Sequence, residues 1–263
     1  SSKNNIWQGE LIYHCVVYNH MPLSEEELER YNRQILLFGV EAQEKLKKSK
    51  VLIVGIGGLG SPAALYLAAA GVGELILVDF EKVELSNLNR QILYWTRDVG
   101  RLKVEVAAEK LRELNPNVVL RTYAVRGDEE SLEPLVKEVD LVVDGLDNWE
   151  TRFTLNKLCV KYRKPFIHAG VHGLYGQLLV VIPGVTPCLQ CILPRAPKET
   201  RVFPVLGTTP GVLALLQVNE AIKILTGYGK PVINKLIVYN GHELVFNEVT
   251  VSRNPHCPIC GRL

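Results

Sequence analysis

The chain has 263 residues, of which 47% are hydrophobic and 22% charged, with a formal net charge of +2. That length suits one large α/β domain, or one domain with a small appendage, and is enough to bury a sizeable core. So small a net charge gives no reason to expect nucleic acid or a membrane surface as a partner.

Residues 1–20 precede Met21, the only methionine, and read as an added or native extension without the apolar core of a signal peptide. Ser24 with Glu27 three residues later is a capping box, so a helix is expected over 25–48. Val51–Val54 is a short apolar run of buried-strand type, and Gly55-Ile56-Gly57-Gly58-Leu59-Gly60 follows it directly. Ser61 is the expected N-cap of the next helix, with Pro62 in its first turn. Residues 51–73 carry no charge, yet their six glycines and one proline punctuate strand, turn and helix inside a core, not a membrane span.

Strands are expected at 51–55, 75–79, 118–124, 140–144 and 166–169, with helices at 61–71, 101–114, 129–138 and 150–163. That alternation predicts a doubly wound, mostly parallel sheet covered on both faces, of Rossmann-like α/β type. Past residue 170 the pattern changes to antiparallel strands at 176–182, 234–240 and 243–251, with a helix over 211–226 and a long loop from 192 to 210. One domain over 21–263 follows, with a nucleotide-binding half at 21–170 and an antiparallel half at 171–263.

A glycine turn between strand and helix brings backbone N–H groups and the positive helix end close to phosphate. Asp79, 19 residues after Gly60 and at a strand end, can accept hydrogen bonds from ribose hydroxyls. These features alone also fit an NAD-dependent oxidoreductase. The cluster Ser86-Asn87-Leu88-Asn89-Arg90-Gln91, then Lys103, and the upstream Arg33 add cations that a pyrophosphate bridge does not need and a triphosphate does. ATP is therefore favoured. Asp144 and Asp147 fall at the carboxyl end of a parallel strand, where ligands bind, and Asp147 is placed as a metal–phosphate ligand would be. The other reading of Asp147 is a cap on the helix that follows it.

Cys188-Leu189-Gln190-Cys191 and Cys257-Pro258-Ile259-Cys260 are two C-x-x-C pairs. Two such turns can complete a four-thiolate shell around a structural zinc with no open position. Disulfides or a redox dithiol are the competing readings. His256 is expected to be an exposed bystander, and Cys159, in the middle of a helix, to be buried.

With these motifs in place, the chain resembles the bacterial and archaeal adenylyltransferases MoeB, ThiF and HesA, prokaryotic relatives of ubiquitin-activating enzymes. The matching residues are Arg30-Tyr31-Asn32-Arg33-Gln34, Gly55–Gly60, Asp79, Ser86–Gln91, Lys103, Asp147-Asn148, both cysteine pairs and the helix over 211–226. The resemblance implies a cytoplasmic homodimer with a structural zinc and an ATP site in each subunit. It implies that Asp79 and Lys103 hold the ribose and nearby phosphate, and that Asn87 and Arg90 grip the triphosphate. Gly57, Gly58, Ser86, Leu88, Asn89 and Asn148 complete the nucleotide site, and Asp147 holds Mg²⁺. Arg33 reaches the neighbouring subunit's phosphates. The implied reaction joins the C-terminal carboxylate of a small ubiquitin-fold carrier, usually ending in Gly-Gly, to the α-phosphorus of ATP.

One departure stands out. Many relatives carry a cysteine in the loop after the first cysteine pair, whereas here none lies between Cys191 and Cys257, and Thr200 falls at or near that place. Adenylation without an enzyme-bound thioester is expected, the adenylate passing directly to a sulfur donor or other acceptor. A non-catalytic scaffold for the carrier is the alternative. Gln177 and Phe203–Leu206 are the candidates for touching the carrier tail.

Overall fold

The structure, a computed structural model, describes residues 23–197 and 203–263. Residues 1–20, Cys15 among them, and Thr200 lie outside the described residues. Ser24 and Glu27 do form the expected capping box, opening α1 (Glu25–Arg30). The single helix expected over 25–48 is instead three: α1, α2 (Asn32–Phe38) and α3 (Val40–Lys48). The break before α3 falls at Gly39, whose φ of 84° is a conformation glycine adopts cheaply.

The chain then alternates β1 (Lys50–Val54), α4 (Gly60–Ala70), β2 (Glu74–Val78), α5 (Lys103–Leu114), β3 (Val119–Tyr123), α6 (Glu129–Glu138), β4 (Leu141–Asp144), α7 (Trp149–Lys161) and β5 (Phe166–His172). It continues through β6 (Tyr175–Val181), α8 (Leu189–Ile192), α9 (Thr208–Thr226), β7 (Lys235–Asn240) and β8 (Val245–Thr250). One sheet holds all the strands in the order β3-β2-β1-β4-β5-β6-β7-β8. Its first five strands are parallel, and the pairs from β5 to β8 are antiparallel. The expected α/β class, extended by antiparallel strands, is what the fold has. A division at residue 170 falls inside β5.

Both faces of the parallel part are covered, which is why β1 reads as an unbroken apolar run. Val51 and Ile53 face the layer built with α4, α5 and α9, while Leu52 and Val54 face the layer of α6 and α7. Among the described residues, no helix is long and apolar enough to cross a membrane.

Three boundaries correct the sequence reading. Ser61 is not the cap of α4: the helix starts one residue before it, and the Ser61 hydroxyl donates back to Ile56 O at 3.3 Å. The helix expected from 101 begins at Lys103, because Leu102 is extended and bridges Lys82. The loop expected over 192–210 is shorter, since α9 begins at Thr208 and carries Pro210 in its first turn, where a missing N–H costs nothing.

One of the tightest points of the fold lies at the carboxyl end of β1. A Cβ on Gly60 would sit 1.9 Å from Gly55 O, and one on Gly145 would sit 2.1 Å from the same oxygen. Gly60→Ala is expected to cost about 3 kcal/mol or more in urea unfolding, because only backbone stands in the way. Gly211→Ala should do the reverse. It meets nothing within 4 Å inside α9, so a gain of about 0.5–1 kcal/mol is expected in the same measurement.

Candidate nucleotide site and cysteine cluster

The carboxyl ends of β1, β2 and β4 open on one side of the sheet, around the point where strand order reverses between β1 and β4. Asp79, just past β2, is 8% exposed and ties this region together. It accepts from Ile56 N and from Glu81 N, each at 2.8 Å. Burial pushes its carboxyl up, against the pull of Lys103. Lys103 is itself 2% exposed, with Nζ 2.5 Å from Glu81 Oε2. Lysine is rarely buried this deeply without a partner, and here Glu81 supplies one, so Lys103 is not a surface charge.

The segment after Asp79 forms a short 3-10 turn over Leu85–Asn87. Asn87 is buried and spends Oδ1 on Glu84 N at 3.0 Å, which fixes the turn. Arg90 then folds back, Nη1 donating to Ser86 O at 2.9 Å and to Asn89 Oδ1 at 3.0 Å. Leu88 packs into the core beneath. The start of α9 lies across this turn. A Cβ on Gly58 would meet Pro210 at 3.3 Å and Arg90 Cγ at 3.5 Å, and a Cβ on Gly207 would lie 2.3 Å from Asn89 O. Glycine loop, arginine turn and α9 thus meet at one place.

Asp147 is exposed and takes no hydrogen bond among the described residues. The cap of α7 is Asn148, whose Oδ1 accepts from Thr151 N at 2.9 Å. The capping reading of Asp147 therefore falls, and Asn148 has its oxygen engaged in the fold. Arg33 is exposed on α2, a helix with no buried residue, and makes no bond to the other candidates. Leu36 and Leu37, on the same short helix, are 75% and 63% exposed.

Sequence reasoning missed a buried polar network beside Asp147. Asp144 is fully buried and accepts from Arg152 Nε at 3.0 Å, His168 Nδ1 at 2.6 Å and Leu146 N at 2.9 Å. Arg152 also donates to the carbonyls of Leu146 and Ala169, and Gln217 of α9 donates to Asp144 O and Ile167 O. It also passed over Tyr94, whose hydroxyl donates to Ile56 O at 2.8 Å, and Gln91, a buried amide against Gly57. Gln91 had a signal, as the last residue of the Ser86–Gln91 cluster.

The four cysteines of the two C-x-x-C pairs converge, with all Sγ atoms within 4.8 Å of one another. Three pairs lie at 3.9, 3.7 and 3.3 Å. A tetrahedral zinc with Zn–S of about 2.3 Å needs sulfurs about 3.8 Å apart, so the donor set fits that ion. Asn156 Oδ1 accepts from Leu189 N at 2.9 Å, and Arg253 donates to Gly184 O and Cys260 O, so both turns are braced. Burial pushes the Cys188 thiol well up. Cys159 is buried in α7 and pushed up for the same reason, which makes it inert. His256 is exposed, as expected.

Native mass spectrometry is expected to find one zinc per chain, lost in Cys191→Ser. A second expectation concerns pH. Burial holds His168 below its ordinary value of 6.5, against the pull of Asp144. The unfolded chain then binds a proton that the folded chain refuses. Stability is full above pH 6.5 and falls as pH drops below it. Urea midpoints at pH 7.5 and 5.5 should differ in that direction, by a margin that shrinks in His168→Leu.

Comparison with known proteins agrees with this geometry. A family model described as "ThiF family" matches residues 31–259. The chain is 43% identical over 242 residues to the vegetative HesA protein of Trichormus variabilis, covering 91% of each chain. It is 42% identical over 253 residues to the sulfur carrier protein adenylyltransferase of Thermus thermophilus, covering 92% of this chain and 93% of that one. A crystal structure of E. coli MccB with ATP superposes with a TM-score of 0.80 at 30% identity, over 88% of this chain and 74% of the other. With a match across nearly all of its length and relatives as long as itself, the chain belongs to the ThiF family.

Proposed function

We propose that this protein is an ATP-dependent adenylyltransferase that activates the C-terminal carboxylate of a small ubiquitin-fold carrier ending in Gly-Gly. The observation that carries the reading is Asp147, an exposed carboxylate in the turn between β4 and α7 that the cap of α7 leaves free, at the same end of the sheet as the glycine loop and Asp79. In the reaction the carrier carboxylate oxygen bonds to the α-phosphorus of ATP as the bond to the β-phosphate oxygen breaks. Acyl-adenylate and pyrophosphate result. A free carboxylate is already a nucleophile, so no activated serine, cysteine or histidine is required, and positioning with charge stabilisation does the catalysis.

Asp79 offers its remaining lone pairs to the ribose hydroxyls. Lys103 and Arg90 supply positive charge to the phosphates, and Gly57 and Gly58 let the nucleotide approach the backbone. The residues at hand fit Mg²⁺ through Asp147, where the ion would neutralise phosphate charge. Ser86, Asn87, Leu88, Asn89 and Asn148 shape the pocket, their own bonds fixing the turn and the helix start. In a homodimer Arg33 of each subunit would serve the neighbour's site, which accounts for its exposure beside Leu36 and Leu37. A cytoplasmic setting follows, since ATP and reduced thiols belong together there.

No cysteine lies between Cys191 and Cys257, and Cys159 is buried. The adenylate therefore passes to a sulfur donor or other acceptor without an enzyme thioester in that loop. A carrier adduct trapped on any enzyme thiol, and released by reductant or hydroxylamine, would contradict this direct transfer.

Carrier-dependent ATP–pyrophosphate exchange is the direct test. Asp147→Ala and Arg33→Ala should each lose about 10²–10³-fold in exchange rate. Mixing the two inactive variants under subunit exchange should restore roughly a quarter of wild-type activity, because one site in each mixed dimer is then complete. No recovery would remove Arg33 from the partner's site.

A further inference from the structure

We propose that the Gln177 side-chain oxygen accepts a main-chain N–H of the carrier's C-terminal peptide, its amide held in that orientation by the buried Asp144–His168 pair. The inference rests on the adenylation reading above and assigns part of the protein substrate's site. A tail of glycines offers no side chain to recognise. Only its N–H and C=O groups can be read, and reading them takes polar groups of fixed direction.

Gln177 meets that need. Asp144 is fully buried between Arg152 and His168. Burial alone would raise its carboxyl, yet Arg152 and then His168 hold it below the usual range, so it stays an acceptor. It takes the Nδ1 hydrogen of His168, a ring that burial keeps neutral. The other ring nitrogen, Nε2, is then a lone pair that can only accept. Gln177 Nε2 lies 3.1 Å from it and must be the donor. The tautomer thus settles which end of the amide turns inward, and Oε1 is left as an acceptor without a partner among the described residues.

The surroundings fit an extended peptide. A Cβ on Gly170 would lie 3.3 Å from Gln177 Nε2, so the missing side chain is what lets the amide lie across β5. β4 pairs with β5 only at Val142–Phe166 and Val143–Ile167, while β5 runs on to His172. Among the described residues no strand lies beside that side of β5 from His168 onward, where the Ala169 carbonyl is taken by Arg152. The turn that leaves β4 there carries Asp147, where the tail's carboxylate has to arrive. At the far end of β5, Gly173 N donates to Pro204 O at 2.6 Å and Leu206 N donates to Gly173 O at 3.2 Å. Phe203 stacks on His172 with centroids 6.2 Å apart. The residues 203–206 thus bound the open stretch at the end away from Asp147.

The test uses full-length protein and a semisynthetic carrier in which each of the last three peptide N–H groups is replaced in turn by an ester oxygen. Gln177→Leu should raise the carrier KM in pyrophosphate exchange about tenfold, the loss expected when one desolvated donor goes unpaired, with ATP affinity unchanged. Gly170→Ala, which pushes the same amide aside, should raise it in the same direction. At one ester position wild type should lose about tenfold, while Gln177→Leu loses nothing further. A carrier KM within twofold of wild type in Gln177→Leu overturns the inference. So does an ester penalty that multiplies with the substitution at every position, or a loss of ATP affinity that makes the residue merely structural. Absence of carrier-dependent exchange in wild type would instead overturn adenylation itself, and the inference with it.

Discussion

Three stretches of backbone meet at Gly55 O, and the nucleotide site is built outward from that contact. Gly60 starts α4 there and Gly145 leaves β4 there, each so close that a single methyl group would collide with the oxygen. The approach draws the turn that leaves β4, which carries Asp147, against the glycine loop. Asp79 completes the arrangement by accepting from Ile56 N within the loop itself. The carboxylate proposed to meet ribose is thus also a group that holds the loop in shape. Loop geometry and ligand affinity cannot be tuned separately through this residue.

Much of this was legible in the chain. Short apolar runs ending in glycine or aspartate marked the parallel strands, because strands buried on both faces need no polar alternation. Ser24 and Glu27 announced α1 through a local reciprocal bond. The cysteine pairs announced their cluster because each supplies two ligands on one turn, and only the meeting of the turns depended on the fold.

What escaped was non-local or hung on single dihedrals. The break at Gly39 is set by one residue, inside a segment whose composition stays helical. Ser61 looks like a cap but spends its hydroxyl on the glycine loop, at the carbonyls of Ile56 and Gly57. At Asp147-Asn148 two adjacent residues could each cap α7, and composition does not say that Asn148 takes the cap and leaves Asp147 open. The Asp144–Arg152–His168 network draws one residue each from β4, α7 and β5, with no spacing that a linear reading would notice. Buried charge of this kind is costly unless every member is satisfied, and here each has at least one partner. That makes the network a source of rigidity next to an exposed candidate ligand.

The cysteine cluster bears on the order in which the protein is made. β1 to β5 are all in hand once His172 has been synthesised. Cys188 and Cys191 emerge soon afterwards, but their partners follow only after α9, β7 and β8. For that interval the first pair is a half-built thiolate site, open to oxidation or to a borrowed metal. Domains fold from the N-terminal side as they leave the ribosome. Closure of the four-sulfur shell therefore waits on the antiparallel half, and a chain interrupted before Cys257 would lack two of the four sulfurs.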